Sequence, residues 1–349
     1  MRLYIKYMER SLGIVALMFM LSFAACNDNE PAGNGDQVPV QLCATIADTE
    51  TGVARTPNVK YWTIDEFTID DVINVDAWHF HDLNGVRKSE SVFFSNLEMT
   101  YDGSSWAYSP VKYWPNIVDE KLAVCAYNVC ESTSKTEYCT IDKNPTNGYS
   151  MTFANCVFVD DVVVAPLIEV NHGEIANLQF YHIMSLIKMQ AKYIPKAGAD
   201  PNDNYLTIKN VVLNWHSKGG KFTGFSKVAG VPVAQWSEIA MDGNNLIDET
   251  DYMIEANEDF KDLTRMTFCQ IPFESPCKEG SNDRYSKITI TIGFDDEPKD
   301  IIFEKNLTFK LIPGETTIFN IIIDGKDIDV TVSSNLKWSG DGGSTSVTF

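Results

Sequence analysis

The chain has 349 residues, 44% of them hydrophobic and 22% charged, enough apolar material for two ordinary domains with cores of their own. A formal net charge of −20 excludes nucleic-acid binding and adhesion to anionic membrane surfaces, since both demand clustered Lys and Arg. Beyond the first 25 residues no segment is long and apolar enough to span a bilayer.

The chain opens with Arg2, Lys6 and Arg10, followed by an apolar run from Leu12 to Ala25. That run is short of the roughly 20 residues a membrane span needs, and its basic, apolar and small-residue parts read as an export signal over 1–25. Cys26 directly after Ala24-Ala25 resembles a bacterial lipobox, in which the thiol is acylated and becomes the first residue of the mature chain. Each acyl methylene buried in a leaflet contributes about 0.8 kcal/mol, so several chains hold the protein firmly. Residues 26–37, with Asn27-Asp28-Asn29-Glu30 and then Pro31 to Asp36, read as a flexible tether. Acidic residues just behind such a cysteine resemble signals that carry lipoproteins to the cell surface in some Gram-negative groups.

From Val38 to Ala47 apolar residues alternate strictly, as in a half-buried strand. Burial of Val38, Val40, Leu42 and Ile46 there would contribute on the order of 6–12 kcal/mol. Further short strands are expected at Val72–Trp78, Val92–Met99, Trp106–Tyr108, Leu122–Tyr127, Tyr149–Phe153 and Val162–Ala165. Asp102-Gly103 and Asn147-Gly148 supply turns between them. A break near Glu169–Gly173 separates this half from a second set: Leu178–His182, Leu186–Tyr193, Tyr205–Trp215, a Gly-rich hairpin from Gly219 to Phe225, Tyr252–Glu255, Met266–Ile271, Ile288–Phe294, Ile301–Lys310, Thr317–Ile323 and Ile328–Val332. Short strands without intervening helices imply an all-β protein of two sandwiches in tandem, 38–172 and 173–338, with a flexible tail over 339–349.

Seven cysteines follow Cys26, an odd number without Cys-x-x-Cys spacing, so zinc and redox readings fall away and most are expected to be reduced core thiols. His79-Phe80-His81 sets two imidazoles on one strand face, where Asp76 or Asp82 could complete a metal site, but polar-face histidines are the commoner case and no metal is expected. The pairs Asp70-Asp71, Asp160-Asp161 and Asp295-Asp296 read as turn and strand-end charges. The run Asp242 to Asp251 fails calcium-loop spacing at Leu246. With no nucleophile, phosphate-loop or dinucleotide motif, no catalytic residue and no cofactor is assigned.

One ordered set of motifs is informative. Trp106-Ala107-Tyr108, Lys112, Tyr113-Trp114-Pro115, Leu122–Tyr127 and Asp161–Ala165 are followed by Leu178-x-Phe180-x-His182, Ser185-Leu186-Ile187, Ile271-Pro272, Pro313-Gly314-Glu315, Thr317–Ile323 and Trp338. Together with Cys26 and Arg55-Thr56 this order resembles the fimbrillin (Mfa-like) family, the lipoprotein-derived pilin subunits of type V pili, from about Val38 to Trp338. Eight cysteines, and Tyr127-Asn128 where a Tyr-Pro or Tyr-Tyr pair is more usual, depart from its pattern. The resemblance implies two transthyretin-like β-sandwiches and a non-enzymatic fimbrial building block that supports adhesion. It also implies that a trypsin-like protease cuts away the first strand after a basic residue, for which Arg55 fits first and Lys60 second. The exchanged strand would be that of Val38, Val40, Leu42 and Ile46. Its groove would then take a C-terminal strand of a neighbouring subunit, either Ile328-x-Val330-x-Val332 or the tail ending at Phe349. Partners implied are other fimbrillin subunits, the processing protease and the outer membrane through lipid on Cys26, with the protein on the cell surface and in the fimbrium. The other reading is a monomeric surface lipoprotein that binds glycans or host ligands through Trp62, Trp78 and Trp236. In either case Tyr113 and Trp114 are expected to be buried, with Pro115 at a strand edge.

Overall fold

The computed structural model describes residues 38–47, 67, 69–83, 86–115, 120–129, 138–155, 161–196, 205–248, 251–256, 259–263, 268–279, 282–294 and 299–337. Every regular element among them is a strand. In chain order these are β1 (Gln41–Ile46), β2 (Val72–Leu83), β3 (Val86–Tyr101), β4 (Trp106–Tyr108), β5 (Glu120–Val129), β6 (Cys139–Asn144), β7 (Gly148–Phe153), β8 (Val162–Asn171), β9 (Ile175–His182), β10 (Ser185–Ile194), β11 (Tyr205–Val228) and β12 (Val231–Asp248). Then follow six short ones, β13 (Tyr252–Glu255), β14 (Lys261–Asp262), β15 (Phe268–Gln270), β16 (Glu274–Ser275), β17 (Cys277–Glu279) and β18 (Asn282–Arg284). The last are β19 (Ser286–Gly293), β20 (Ile301–Leu307), β21 (Phe309–Lys310), β22 (Glu315–Asp324) and β23 (Asp327–Lys337).

Three sheets carry the fold. The first runs β1-β9-β8-β5-β2-β3-β4, the second β14-β10-β22-β23 with β15 also on β10, and the third β20-β19-β11-β7-β6 with β12 and β13 also on β11. Residue 172 lies between β8 and β9, which pair in the first sheet. The halves are not separate, because β7 pairs with β11 and the described part of Pro39–Phe349 forms one compact unit.

The central strands of the first sheet are apolar on both faces. Leu122, Val124 and Ala126 of β5 enter one core with Ile73, Val75 and Phe180, while Cys125 between them enters a second with Trp78, Met151 and Phe222. This double burial is why Leu122–Ala126 is a continuous apolar run rather than an alternating one. A third core lies between the other two sheets, built from alternate residues such as Ile187, Met189 and Ala191 of β10 and Ile288, Ile290 and Ile292 of β19. The Trp78 core is the seam that joins the halves, since Phe222, Ala234 and Ile271 reach it from the later strands.

The Gly-rich hairpin expected at Gly219–Phe225 is instead the middle of β11. A Cβ on Gly219 would sit 2.8 Å from the Phe153 carbonyl oxygen, and one on Gly220 3.0 Å from the Ile239 side chain. Glycine is needed there for close strand approach, not for a turn. The turn comes at Ala229 and Gly230, both at positive φ (50° and 86°). On the same hairpin His216 is 1% exposed, and neither ring nitrogen has a hydrogen bond among the described residues. Burial lowers its pKa to about 4, Asp242 across the hairpin opposing and Lys218 assisting. The unfolded chain therefore binds the extra proton, so stability is whole above about pH 6.5 and falls as pH drops toward 4. That loss should reach about 2–3 kcal/mol. His216→Leu should lack this loss, so the wild-type-minus-variant difference in denaturant titrations should fall by that amount between pH 7 and 4; a difference that does not change with pH would refute the assignment.

Candidate functional site

The most informative local arrangement surrounds β1. Val40 and Ala44 are buried, Leu42 and Ile46 half-buried against the first core, and Gln41, Cys43 and Thr45 exposed, so the alternation read from the sequence is realised over 40–46. Val38 departs from it, at 39% exposure. On one side β1 is parallel to β9 in a six-residue register from Gln41↔Ile175 to Ile46↔Phe180. A further bond, Ala47 N–H to the Phe180 carbonyl at 2.8 Å, extends that ladder.

The opposite side of β1 faces the far edge of the same sheet and has no ladder among the described residues. Three bonds and one bridge span it instead. Val40 N–H donates to the Lys112 carbonyl at 2.8 Å, and Pro39 bridges Tyr113. Trp106 Nε1–H donates to the Ala44 carbonyl at 3.1 Å and Tyr108 Oη–H to the Val40 carbonyl at 2.5 Å. Trp106 and Tyr108 stand two apart on β4, so both side chains fall on one face and reach two carbonyls of the strand opposite. Their apolar rings close the core while their polar ends satisfy backbone. Phe67 completes the wall, edge-on to Trp106 and Phe180 with centroids 4.9 and 5.3 Å away. The sequence motif drew attention to Trp106 and Tyr108 but gave no sign of this clasp, since its acceptors lie more than 60 residues away. Full burial of Val40 and Ala44 with half burial of Leu42 and Ile46 contributes on the order of 4–7 kcal/mol, less than the sequence suggested.

Trp114 is 3% exposed and packs on His172 with ring centroids 5.2 Å apart. Tyr113 is only half-buried, and Pro115 lies outside any strand, because this segment turns from β4 to lie beside Pro39. At the other end of the chain, Ile328, Val330 and Val332 are on β23, which pairs antiparallel with β22. Val330 is 2% exposed, and Ile328 and Val332 pack on the third core, so these residues already fill a place in their own fold. Cys26, Arg55, Lys60, Trp62 and Phe349 lie outside the described residues.

The remaining candidates are structural. Trp78 is 7% exposed, and Trp236 is half-buried with its Nε1–H on the Ile183 carbonyl at 2.8 Å, so both are packed in the same core. His79 pairs with the buried Glu120 on the neighbouring strand, and no cluster of three metal-ligating side chains exists among the described residues. Asp161 meets the buried His182 Nδ1 at 2.8 Å. Cys125, Cys139 and Cys269 are buried thiols, whereas Cys43 is exposed. Desolvation in the seam pushes the Cys125 thiol far above its ordinary pKa, as suits a small core hydrophobe.

A family model described as fimbrillin-like matches residues 62–338. The fold is similar to that of a fimbrial protein from Bacteroides vulgatus, with a TM-score of 0.55 and 14% identity over 87% of this chain and 100% of that one. A protein from Bacteroides ovatus described in terms of cell adhesion gives a TM-score of 0.48 and 16% identity over 87% of this chain and 98% of that one. A shared fold follows from the first alone. No curated protein matches the chain.

Proposed function

Because the chain belongs to the fimbrillin-like family, we propose that it is a fimbrial subunit, exported as a lipoprotein through Cys26 and polymerised when its first strand is cut free and replaced. The observation that carries this reading is the one-sided hold on β1, a parallel ladder on β9 facing three bonds and a bridge. A strand held in this way keeps its place while covalently attached and becomes exchangeable once cut. Arg55 lies nine residues beyond Ile46 and is the proposed cleavage point, Lys60 the second choice. Cleavage there would also sever the subunit from the lipid on Cys26 and from the outer membrane. The two-sandwich arrangement belongs to the same proposal.

Docking of β23 in its own sheet favours the segment after Lys337, ending at Phe349, as the strand offered to a neighbour. Arg55→Ala, and separately deletion of 338–349, should each convert surface polymer into monomer. On a denaturing gel of surface extracts, boiling-resistant ladders from the wild type should collapse to one band near the monomer mass. Normal ladders from both variants, built of subunits still beginning at Cys26, would sink the mechanism.

A further inference from the structure

The carboxylate of Asp76, on β2, is 1% exposed and accepts four hydrogen bonds. Ser95 Oγ–H (2.7 Å), the Asn96 backbone N–H (2.9 Å) and Lys143 Nζ (2.8 Å) reach Oδ1, and Tyr149 Oη–H (2.5 Å) reaches Oδ2. Lys143 comes from β6 and also donates to the side-chain oxygen of Asn96, on β3, at 2.5 Å. Tyr127 Oη–H points at that same amide oxygen at 3.4 Å. Its ring stands edge-on to Tyr149 with centroids 5.0 Å apart, and the two form an aromatic wall beside the cluster. Asn96 is held at φ 51°, a left-handed conformation that asparagine tolerates well. A primary amine, a carboxamide and a buried carboxylate therefore converge from three strands.

We propose that Lys143 and Asn96 form an intramolecular isopeptide bond, with Asp76 moving the protons. With the amide oxygen 2.5 Å from Nζ, Cγ of Asn96 is no further than about 3.7 Å away. That is within a small side-chain rotation of the roughly 3–3.5 Å of a near-attack geometry. Asp76 Oδ1 takes a proton from the Lys143 ammonium, and the freed lone pair attacks Cγ. Negative charge develops on Asn96 Oδ1, where the Tyr127 hydroxyl can answer it. Burial raises the Tyr127 phenol to about 12, so it stays a donor at neutral pH. The Cγ–Nδ2 bond then breaks. Of the three Nζ protons one remains on the new amide and two pass through Asp76 to Nδ2, which leaves as ammonium. Charge and atoms balance with no oxidant or co-reactant.

The bond would tie β3 of the first sheet to β6 of the third, closing a covalent loop between two sheets. Such a tie would restrict separation of the two sheets when force or denaturant acts on the chain. Peptide mapping of the purified full-length protein tests it directly. A tryptic digest should leave Lys143 uncut and yield a branched peptide containing both Lys143 and Asn96, lighter by one ammonia than the sum of its two parts. Lys143→Arg and Asn96→Ala should each give linear peptides only. Asn96 is exposed, so the second variant should also keep the wild-type circular dichroism. Linear wild-type peptides of unmodified mass, even after prolonged incubation at neutral pH, would overturn the proposal. So would a branched peptide lighter by one water, which would place the link on Asp76.

Discussion

Val40→Asp should destabilise the protein by about 5–7 kcal/mol at neutral pH, the largest effect expected of any single change in β1. Val40 is 3% exposed in the first core, and both its N–H and its carbonyl are engaged, by Lys112 and Tyr108. A carboxylate there would lie among the apolar side chains of the first core and would bury only as the neutral acid. Protonating an aspartate at pH 7 costs about 4 kcal/mol, and the lost valine burial adds about 1.5–3 kcal/mol. The two parts separate by pH. The folded variant's carboxyl has a raised pKa, so its share of the deficit is full at pH 7 and shrinks as pH falls toward the unfolded value near 3.9. Denaturant titrations should therefore show the gap between Val40→Asp and wild type narrowing to about 1.5–3 kcal/mol at pH 4. Thr45→Asp, on the exposed face of the same strand, should change stability by less than about 1 kcal/mol at either pH. Equal losses at the two positions would mean that β1 is not packed as described.

That the effect turns on residue 40 and not 38 marks where local reading ended. The alternation over 38–46 was plain, but the pattern alone does not say where pairing starts, and β1 begins at Gln41. Strands whose apolar residues are all used inward were legible for the same reason: β10, β19 and β22 fall within a residue or two of their expected bounds. β4, at Trp106–Tyr108, was legible from its aromatics. β12 was not. Its end, Asp242-Gly243-Asn244-Asn245, has the composition of a loop, yet it continues the ladder with β11, His216↔Asp242 and Asn214↔Asn245 among its pairs. Here long-range pairing overrides turn propensity, as the Gly219-Gly220 crossing also does. Asp76 shows the same limit in a side chain. Between Val75 and Ala77 it belongs on the face opposite those residues, which in a one-sided sheet would meet water. Tyr149 and Lys143, from strands in another sheet, bury that face, and nothing in the local sequence announces them.

Trp114→Ala should cost about 3–5 kcal/mol, the usual range for truncating a buried aromatic, and should also loosen β1. The indole is 3% exposed in the first core and lies against His172. Lys112 and Tyr113, just before it in the chain, make the backbone bond to Val40 and the bridge to Pro39 that face β1 opposite the β9 ladder. Removing the ring takes away what fixes that segment, so its contacts to β1 should weaken while the β9 ladder remains. Two measurements separate global from local loss. Thermal melting reports the first. For the second, amide hydrogen exchange should rise at Val40, whose N–H bonds Lys112, far more than at Ala47, whose N–H bonds Phe180 of β9. Faster exchange at both sites to the same extent would mean that β1 leaves only with global unfolding, and the one-sided hold would not be the weak point. An unchanged melting temperature would show that the tryptophan is a surface feature. Under the proposed strand exchange, the side chains of Trp106 and Tyr108 and the segment held by Trp114 are what an incoming strand would have to fit. Any replacement for β1 must therefore offer small or apolar residues at the positions of Val40 and Ala44, and carbonyls where Trp106 and Tyr108 donate.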